Sequence, residues 1–103
     1  MRYQLVVQFE TADSLDDFDR LVRFEGKLAA ELRKIAEVDG HDFGSSEFNV
    51  FILTDTPKVA FETAHRLVLD QKLRYPMRAA YRELTEEAFV ILWPSTLREF
   101  RVS

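Results

Sequence analysis

The sequence predicts an α+β fold, a two-layer sandwich of the ferredoxin-like βαββαβ type with an extra C-terminal strand. Two observations lead to this prediction. Segments with the alternating pattern of strands and segments with helical periodicity follow one another in the order β-α-β-β-α-β, and one more strand-like segment comes last. Of the 103 residues, 47% are hydrophobic, so residues 1–103 suit a single domain with a real core. A two-layer α+β sandwich with a different strand order is the alternative.

The first strand is predicted over residues 2–10, because apolar residues alternate there with two glutamines and a valine. Its apolar face consists of Tyr3, Leu5, Val7 and Phe9. Either Asp13 or Ser14 can cap the helix that follows, since each has an acid three residues later. From Leu15 to Ile35, apolar residues recur at intervals of three and four and form one helical stripe.

A hairpin is predicted in the middle of the chain. Residues 36–40 form a short strand, and residues 47–55 form a stronger strand in which apolar residues alternate with others. The glycines, acids and serines of residues 40–46 are typical of a turn. We therefore expect a long polar turn between the two strands.

The second helix and the last strands are predicted from local signals. Thr56 followed by Pro57 is typical of a helix start, with proline at the first helical position. Pro76 cannot continue that helix. Residues 78–94 then predict two strands around a turn at 85–87.

Charge and cysteine content exclude several function classes. A formal charge of −4 argues against a nucleic-acid binder held by bulk electrostatics. With no cysteine, the chain has no disulfide, no thiol nucleophile and no cysteine-ligated metal site. No apolar run approaches the roughly 20 residues of a membrane span, and the first residues lack a signal-peptide pattern. We therefore expect a cytoplasmic protein that binds neither nucleic acid nor a membrane.

Polar residues of several chemical types concentrate in the stretch VDGHDFGSSEFNVF, residues 38–51. In the predicted topology this hairpin lies at the same end of the sheet as the loop at 10–13 and the link at 74–77. Side chains from the three segments are therefore expected to converge on one site. The candidate ligand-binding residues are His41, Ser45, Glu47, Asn49, Arg74 and Arg78, and Asp42, Ser46 and Tyr75 lie beside them.

The residue types in this stretch permit acid–base chemistry at His41. Histidine is the side chain that changes charge near neutral pH, so His41 is a candidate general acid or base. Asp42 or Glu47 would orient it, and Arg74 would hold an anionic substrate. The serines lack a nucleophile-elbow motif, and two or three nitrogen and oxygen ligands are fewer than a metal site usually has. The sequence therefore predicts no metal site and no cofactor.

The sheet face away from the helices is predicted to mix amide and apolar side chains. Gln4 and Gln8 share it with Glu47 and Asn49. Such a surface suits a second copy of the chain or a protein partner. The predicted function is a small interaction or regulatory module that forms a homodimer through this open face or binds a protein partner. The alternative is a small enzyme or metabolite-binding domain with its site at the His41 end of the hairpin.

The hairpin also resembles a segment of small uncharacterised bacterial proteins. In these proteins the pattern Gly-His-Asp-x-Gly-Ser-x-Glu-x-Asn runs into an apolar strand and then into an Asp/Thr-Pro helix start. The matching residues are Gly40, His41, Asp42, Gly44, Ser45, Glu47 and Asn49. The resemblance covers the second half of the chain and implies no particular activity. It marks the same hairpin that the residue types indicate.

Overall fold

The chain forms a five-stranded antiparallel sheet with two helices on one of its faces. A computed structural model describes residues 1–102. The elements are β1 Tyr3–Glu10, α1 Leu15–Leu32, β2 Ala36–Gly44, β3 Glu47–Thr54, α2 Pro57–Asp70, β4 Met77–Glu83 and β5 Val90–Trp93. The order across the sheet is β2-β3-β1-β4-β5, and every neighbouring pair is antiparallel. The predicted α+β class, with five strands and two helices, is confirmed.

The core lies between the sheet and the two helices. Leu5, Val7 and Phe9 of the predicted apolar face of β1 are fully buried in it. Val6 and Gln8, on the other face of the strand, are buried as well. The buried stripe of α1 consists of Leu21, Phe24, Leu28 and Leu32. Burial of one such side chain contributes about 1.5–3 kcal/mol. The ends of the predicted stripe were wrong: Leu15 and Ile35 are exposed. Leu15 lies on the flank of α1 shared with Val22, and Ile35 lies beyond the end of the helix.

The β2–β3 hairpin differs from the prediction in its boundaries. β2 extends to Gly44, so the turn consists of Ser45 and Ser46 alone. Both serines have positive φ, 53° and 62°, as the two central residues of a type I′ turn require. The pairing with β3 shifts between Val38 and Gly40, and a φ of 122° at Gly40 accommodates this bulge. Of the residues 40–46 that indicated a long turn, residues 40–44 therefore belong to a bulged edge strand.

Both helices begin where the sequence predicts. Ser14 caps α1, because its Oγ accepts a hydrogen bond of 3.1 Å from the backbone N–H of Asp17. Pro57 is the first residue of α2. That helix ends at Asp70, well before Pro76, so a local signal other than proline ends it. Neither helix in residues 1–102 is long and apolar enough to cross a membrane.

The face of the sheet away from the helices, the open face, is crossed by the end of the chain. The C-terminal segment (residues 94–102) follows β5 and lies over β1, β3 and β4. Gln8 Nε2 donates a hydrogen bond of 3.0 Å to the carbonyl oxygen of Arg101. The ring of Phe100 lies 5.0 Å from that of Phe89, in the link between β4 and β5. The chain therefore covers part of its own open face.

Candidate functional site

The three loops that the sequence places at one end of the sheet do meet there. The backbone N–H of Glu10 donates to the carbonyl of Pro76, and that of Thr11 donates to the carbonyl of Ser46, each at 2.9 Å. The candidate side chains nevertheless lie in three different places. His41 packs against α1, a second group on the open face consists of Glu47, Asn49 and Arg78, and a cleft beside α1 contains Arg74 and Tyr75.

His41 lies on the helix side of β2. Its Nδ1 is 2.7 Å from Oε1 of Glu25 in α1, and its ring stacks on Phe48 with centroids 4.9 Å apart. The expected partners, Asp42 and Glu47, belong to the other face of the sheet, because side chains alternate along each strand. The residue that orients His41 is therefore a helix residue that the sequence did not indicate.

The polar residues of the open face form an internal network. Gln8 Nε2 donates to Asn49 Oδ1 at 2.9 Å and to Glu47 Oε1 at 3.2 Å. Arg78 Nε donates to Gln8 Oε1 at 2.6 Å. Every buried polar side-chain atom within residues 1–102 has a hydrogen-bond partner. These candidate residues therefore hold neighbouring strands together, and Gln8 links them to the C-terminal segment.

Ser45 and Ser46 form the hairpin turn, and the second of them ties this turn to the β1–α1 loop. The backbone N–H of Ser46 donates to Asp13 Oδ2 at 2.9 Å, and its Oγ lies 3.5 Å from the same oxygen. Both serines have a left-handed backbone, which costs a residue with a side chain about 1–2 kcal/mol, and the bonds to Asp13 help to stabilise this turn. The structure thus gives the serine pair a role in the turn.

A cleft between α1 and the link after α2 brings several positive side chains together. Its cavity measures about 420 Å³, within the range of small-ligand sites. Arg20 and Arg23 line it from α1, and Lys72 and Arg74 line it from the link. The other lining residues are Asp17, Phe24, Gln71, Leu73 and Tyr75. Of the predicted candidates, Arg74 and Tyr75 belong to this cleft.

Helical spacing determines which residues of α1 face the cleft. Asp17, Arg20 and Phe24 are separated by three and four positions, so they share one flank of the helix. Glu25 lies on the opposite flank, where it meets His41. α1 therefore stands between the cleft and His41, and the structure does not bring Arg74 and His41 together.

The end of α2 positions the cationic residues of the link. The backbone N–H of Lys72 donates to the carbonyl of Leu69, and that of Leu73 donates to the carbonyl of Val68, both at 3.1 Å. This is the Schellman arrangement, in which the residue after the cap adopts a left-handed conformation. Lys72 has that conformation, with φ of 54°. The chain therefore turns sharply after α2 and returns along the flank of α1.

The one acid among the described lining residues is held by structural donors. The Tyr75 hydroxyl donates to Asp17 Oδ1 at 2.8 Å, and the backbone N–H of Ala12 donates to Asp17 Oδ2 at 3.0 Å. The bond from Tyr75, and after it the bond from Ala12, lowers the pKa of Asp17 below its ordinary value. Burial, followed by the bond to Asp17, raises the pKa of Tyr75, while the nearby Arg20 guanidinium opposes the rise. Asp17 is therefore ionised and holds the link against α1.

The four cations of the cleft have no carboxylate partner in the part of the chain that the structure describes. The ion pairs within residues 1–102 all lie outside the cleft. They join Arg2 with Glu83, His41 with Glu25, Arg66 with Glu31 and Arg101 with Glu99. The whole chain carries a net charge of −4. The cleft is lined by four cations and one carboxylate, that of Asp17, which is already held by Tyr75 and Ala12. An excess of positive charge in a cavity attracts negative ions, so this cleft favours an anion.

Sequence reasoning did not identify Arg20, Arg23 or Lys72 as site residues. One signal was present, because DRLVR, residues 19–23, places two arginines near one flank of the predicted helix. No local signal showed that the link would return to that flank. The return depends on a lysine in a conformation that lysine rarely adopts.

No protein-family model matches the chain, and no curated protein matches it. The resemblance of the hairpin to small bacterial proteins therefore stays a prediction. Among residues 1–102, no group of three or more His, Asp or Glu side chains is placed to hold a metal ion.

Proposed function

We propose that the protein is a small binding module that takes an anionic metabolite, with phosphate as the simplest recognised group, in the cleft beside α1. The observation that carries this proposal is the set of cations around one cavity of a net-negative chain. These cations are Arg20, Arg23, Lys72 and Arg74. Arginine pairs with phosphate and carboxylate oxygens through two parallel hydrogen bonds, and lysine adds a point charge.

The remaining lining supports a ligand with a short carbon skeleton. Phe24, Leu73 and the ring of Tyr75 provide an apolar wall beside the charges. Small-molecule sites combine apolar walls with a few polar groups that fix orientation. A phosphorylated or polycarboxylated metabolite has this combination of chemistry.

The positions of the histidines favour binding over catalysis. His41 pairs with Glu25 on the far flank of α1. His65 lies on α2, with its ring 4.7 Å from that of Trp93 in β5. A general acid or base at His41 would act at a place separate from Arg74. An enzyme that uses both residues on one substrate is therefore less well supported than a binding module.

Calorimetric titration of the full chain with inorganic pyrophosphate tests the proposal. We expect saturable binding and a raised Tm, because a ligand that binds the folded state stabilises it. Arg20→Gln and Arg74→Gln should each weaken the affinity about tenfold or more, since a hydrogen bond to a charged group contributes about 1.5–3 kcal/mol. The matched control is Arg98→Gln, which removes the same charge from the exposed C-terminal segment.

Two results would contradict this function. One is the absence of binding of pyrophosphate, citrate and sulfate at millimolar concentration to a folded chain. The other is an equal loss of affinity in Arg20→Gln, Arg74→Gln and Arg98→Gln, because bulk charge alone would then explain the attraction.

The finer fold assignment is also a proposal. The order β2-β3-β1-β4 of the first four strands supports a ferredoxin-like sandwich, with β5 as the extra C-terminal strand. The homodimer and the cytoplasmic location stay predictions. A dimer through the open face would have to include or displace the C-terminal segment, because that segment lies on this face.

A further inference from the structure

We infer that the anion-binding surface continues beyond the cleft, along α1, and that it takes an acidic peptide segment of a partner protein. The surface consists of the cleft and a second cavity of about 730 Å³ between the end of α1 and the end of α2. We call these two cavities together the basic groove. The inference rests on the proposed function, because the cleft supplies one end of this groove.

The second cavity adjoins the cleft at one side chain. Gln71 lines both cavities, and its Oε1 accepts a hydrogen bond of 2.9 Å from Nζ of Lys27 in α1. Only this uncharged partner engages Lys27, so its ammonium group keeps its full charge. The two cavities therefore meet at a cation.

The basic groove carries an excess of positive charge in a net-negative chain. Lys27, Arg33 and Lys34 line the second cavity, in addition to the four cations of the cleft. Half of the chain's 14 lysines and arginines therefore line the groove. None of these seven forms an ion pair with a carboxylate of residues 1–102. Such an excess attracts a partner of the opposite charge.

Few acids oppose these cations. Of the 18 acids in the chain, Asp17, Glu31 and Asp70 line the groove. Asp17 is held by the Tyr75 hydroxyl, and Oε2 of Glu31 lies 3.7 Å from a guanidinium nitrogen of Arg66. Two of the three acids are therefore already engaged, and the groove keeps a net positive charge.

Helical spacing arranges the cations in one row. Arg20, Arg23 and Lys27 are separated by three and four positions, so they share the flank of α1 that faces the groove. Lys34 follows seven positions after Lys27, in the turn that ends the helix. At the helical rise of about 1.5 Å per residue, the row from Arg20 to Lys34 is roughly 20 Å long. An extended peptide covers this distance with about six residues.

The lining of the second cavity favours a peptide over a nucleic acid. Ile35 is 39% exposed, and it lies with Ala30 and Leu67 beside the cations. A peptide can place carboxylates on the cations and apolar side chains on this wall. A phosphate backbone would use the charges and leave the apolar wall in water. The occupant that fits both features is an acidic peptide with apolar residues among its acids.

Two peptides of different length test the inference on the full chain. The probe is a labelled eight-residue peptide with two glutamates at each end and leucines and serines alternating between them, and the comparison is its four-residue half. Fluorescence anisotropy at low ionic strength should give the longer peptide an affinity about tenfold higher or more, because its two glutamate pairs reach both cavities at once.

A single charge in the second cavity provides the matched variant. Lys34→Gln should weaken the affinity for the eight-residue peptide about threefold, as expected for one exposed ion pair. It should weaken pyrophosphate binding less, since Lys34 lies outside the cleft. The control is Lys58→Gln, which removes an exposed lysine of α2 outside the groove.

The two proposals fail separately, because pyrophosphate needs only the cleft. A chain that binds pyrophosphate but binds both peptides with equal affinity would overturn the inference and leave the proposed function in place. A folded chain that binds neither ligand would overturn both. Equal losses of peptide affinity in Lys34→Gln and Lys58→Gln would contradict the inference, since bulk charge would then explain the binding. Tighter binding of a single-stranded oligonucleotide with the same charge would also contradict it, because the partner would then be a nucleic acid.

Discussion

The hydroxyl of Tyr75 lies 2.8 Å from Oδ1 of Asp17 and joins the two walls of the cleft beside α1. Tyr75 belongs to the link between α2 and β4, and Asp17 belongs to the first turn of α1. The backbone N–H of Ala12 holds the other carboxylate oxygen at 3.0 Å. The shape of the cleft therefore depends on an ionised carboxylate and a neutral phenol.

Stability should fall in acid as Asp17 takes up a proton. The pKa of Asp17 is lowered from its ordinary value of 3.8, so the unfolded chain binds the proton first as the pH falls. The stabilisation is present well above pH 3.8 and is lost as the pH falls through the lower folded value. Denaturant unfolding measured against pH should show a shallower acid decline in Asp17→Asn than in the wild type. The exposed neighbour variant Asp16→Asn should keep the wild-type slope.

A second loss of stability is expected in alkali. The pKa of Tyr75 is raised above its ordinary value of 10.0, first by burial and then by Asp17. The unfolded chain therefore releases the proton first, and the stabilisation present below pH 10.0 is lost as the pH rises through the folded value. Tyr75→Phe should remove this alkaline loss. A Tyr3→Phe chain that removed it equally would contradict the assignment to Tyr75.

Lys72 offers a test in which stability and binding change in opposite directions. A left-handed backbone costs a residue that has a side chain about 1–2 kcal/mol in the folded state. Glycine avoids this cost but loses about 0.5–1 kcal/mol more conformational entropy on folding, so the net change is favourable. With φ of 54° at this position, Lys72→Gly should raise the unfolding free energy by roughly 0.5–1 kcal/mol. It should also weaken pyrophosphate binding, since a cleft cation is lost. Lys72→Gln should weaken binding without the gain in stability.

The hairpin turn should also be improved by glycine. Ser46 has φ of 62°, and the hydrogen bond to Asp13 uses its backbone N–H, which glycine retains. Ser46→Gly should therefore raise the midpoint of denaturant unfolding, by about 0.5–1 kcal/mol in free energy. Ser14→Gly is the matched control and should give no gain, because Ser14 has φ of −85° and caps α1. A loss of stability in Ser46→Gly would show that its hydroxyl matters more than its backbone.

Those parts of the fold that depend on local signals could be predicted. The apolar inward face of β1, the cap at Ser14 and the proline start at Pro57 each depend on a few neighbouring residues. The length of β2 could not be predicted in this way. Gly40 and Gly44 are typical turn residues, and only pairing with β3 shows that both lie within a strand.

The candidate site was harder to predict because it depends on packing between distant segments. The three loops were correctly placed at one end, since strand order alone brings them there. The partner of His41 was not predictable, because Glu25 reaches it only through the packing of α1 on β2. Arg20 and Lys72 line the same cleft because the Schellman turn at the end of α2 sends the link back along α1.

The two edges of the sheet differ from its faces in what they offer to other molecules. β2 ends the sheet on one side with a bulge at Gly40 and with the acids Glu37, Asp39 and Asp42. β5, at the other side, has only the four residues Val90–Trp93. Exposed strand edges serve as templates for aggregation, and charges, bulges and short length all suppress this process. Pairing of one chain's edge strand with that of another, the first step towards a fibril, is therefore disfavoured at both edges, even at high protein concentration.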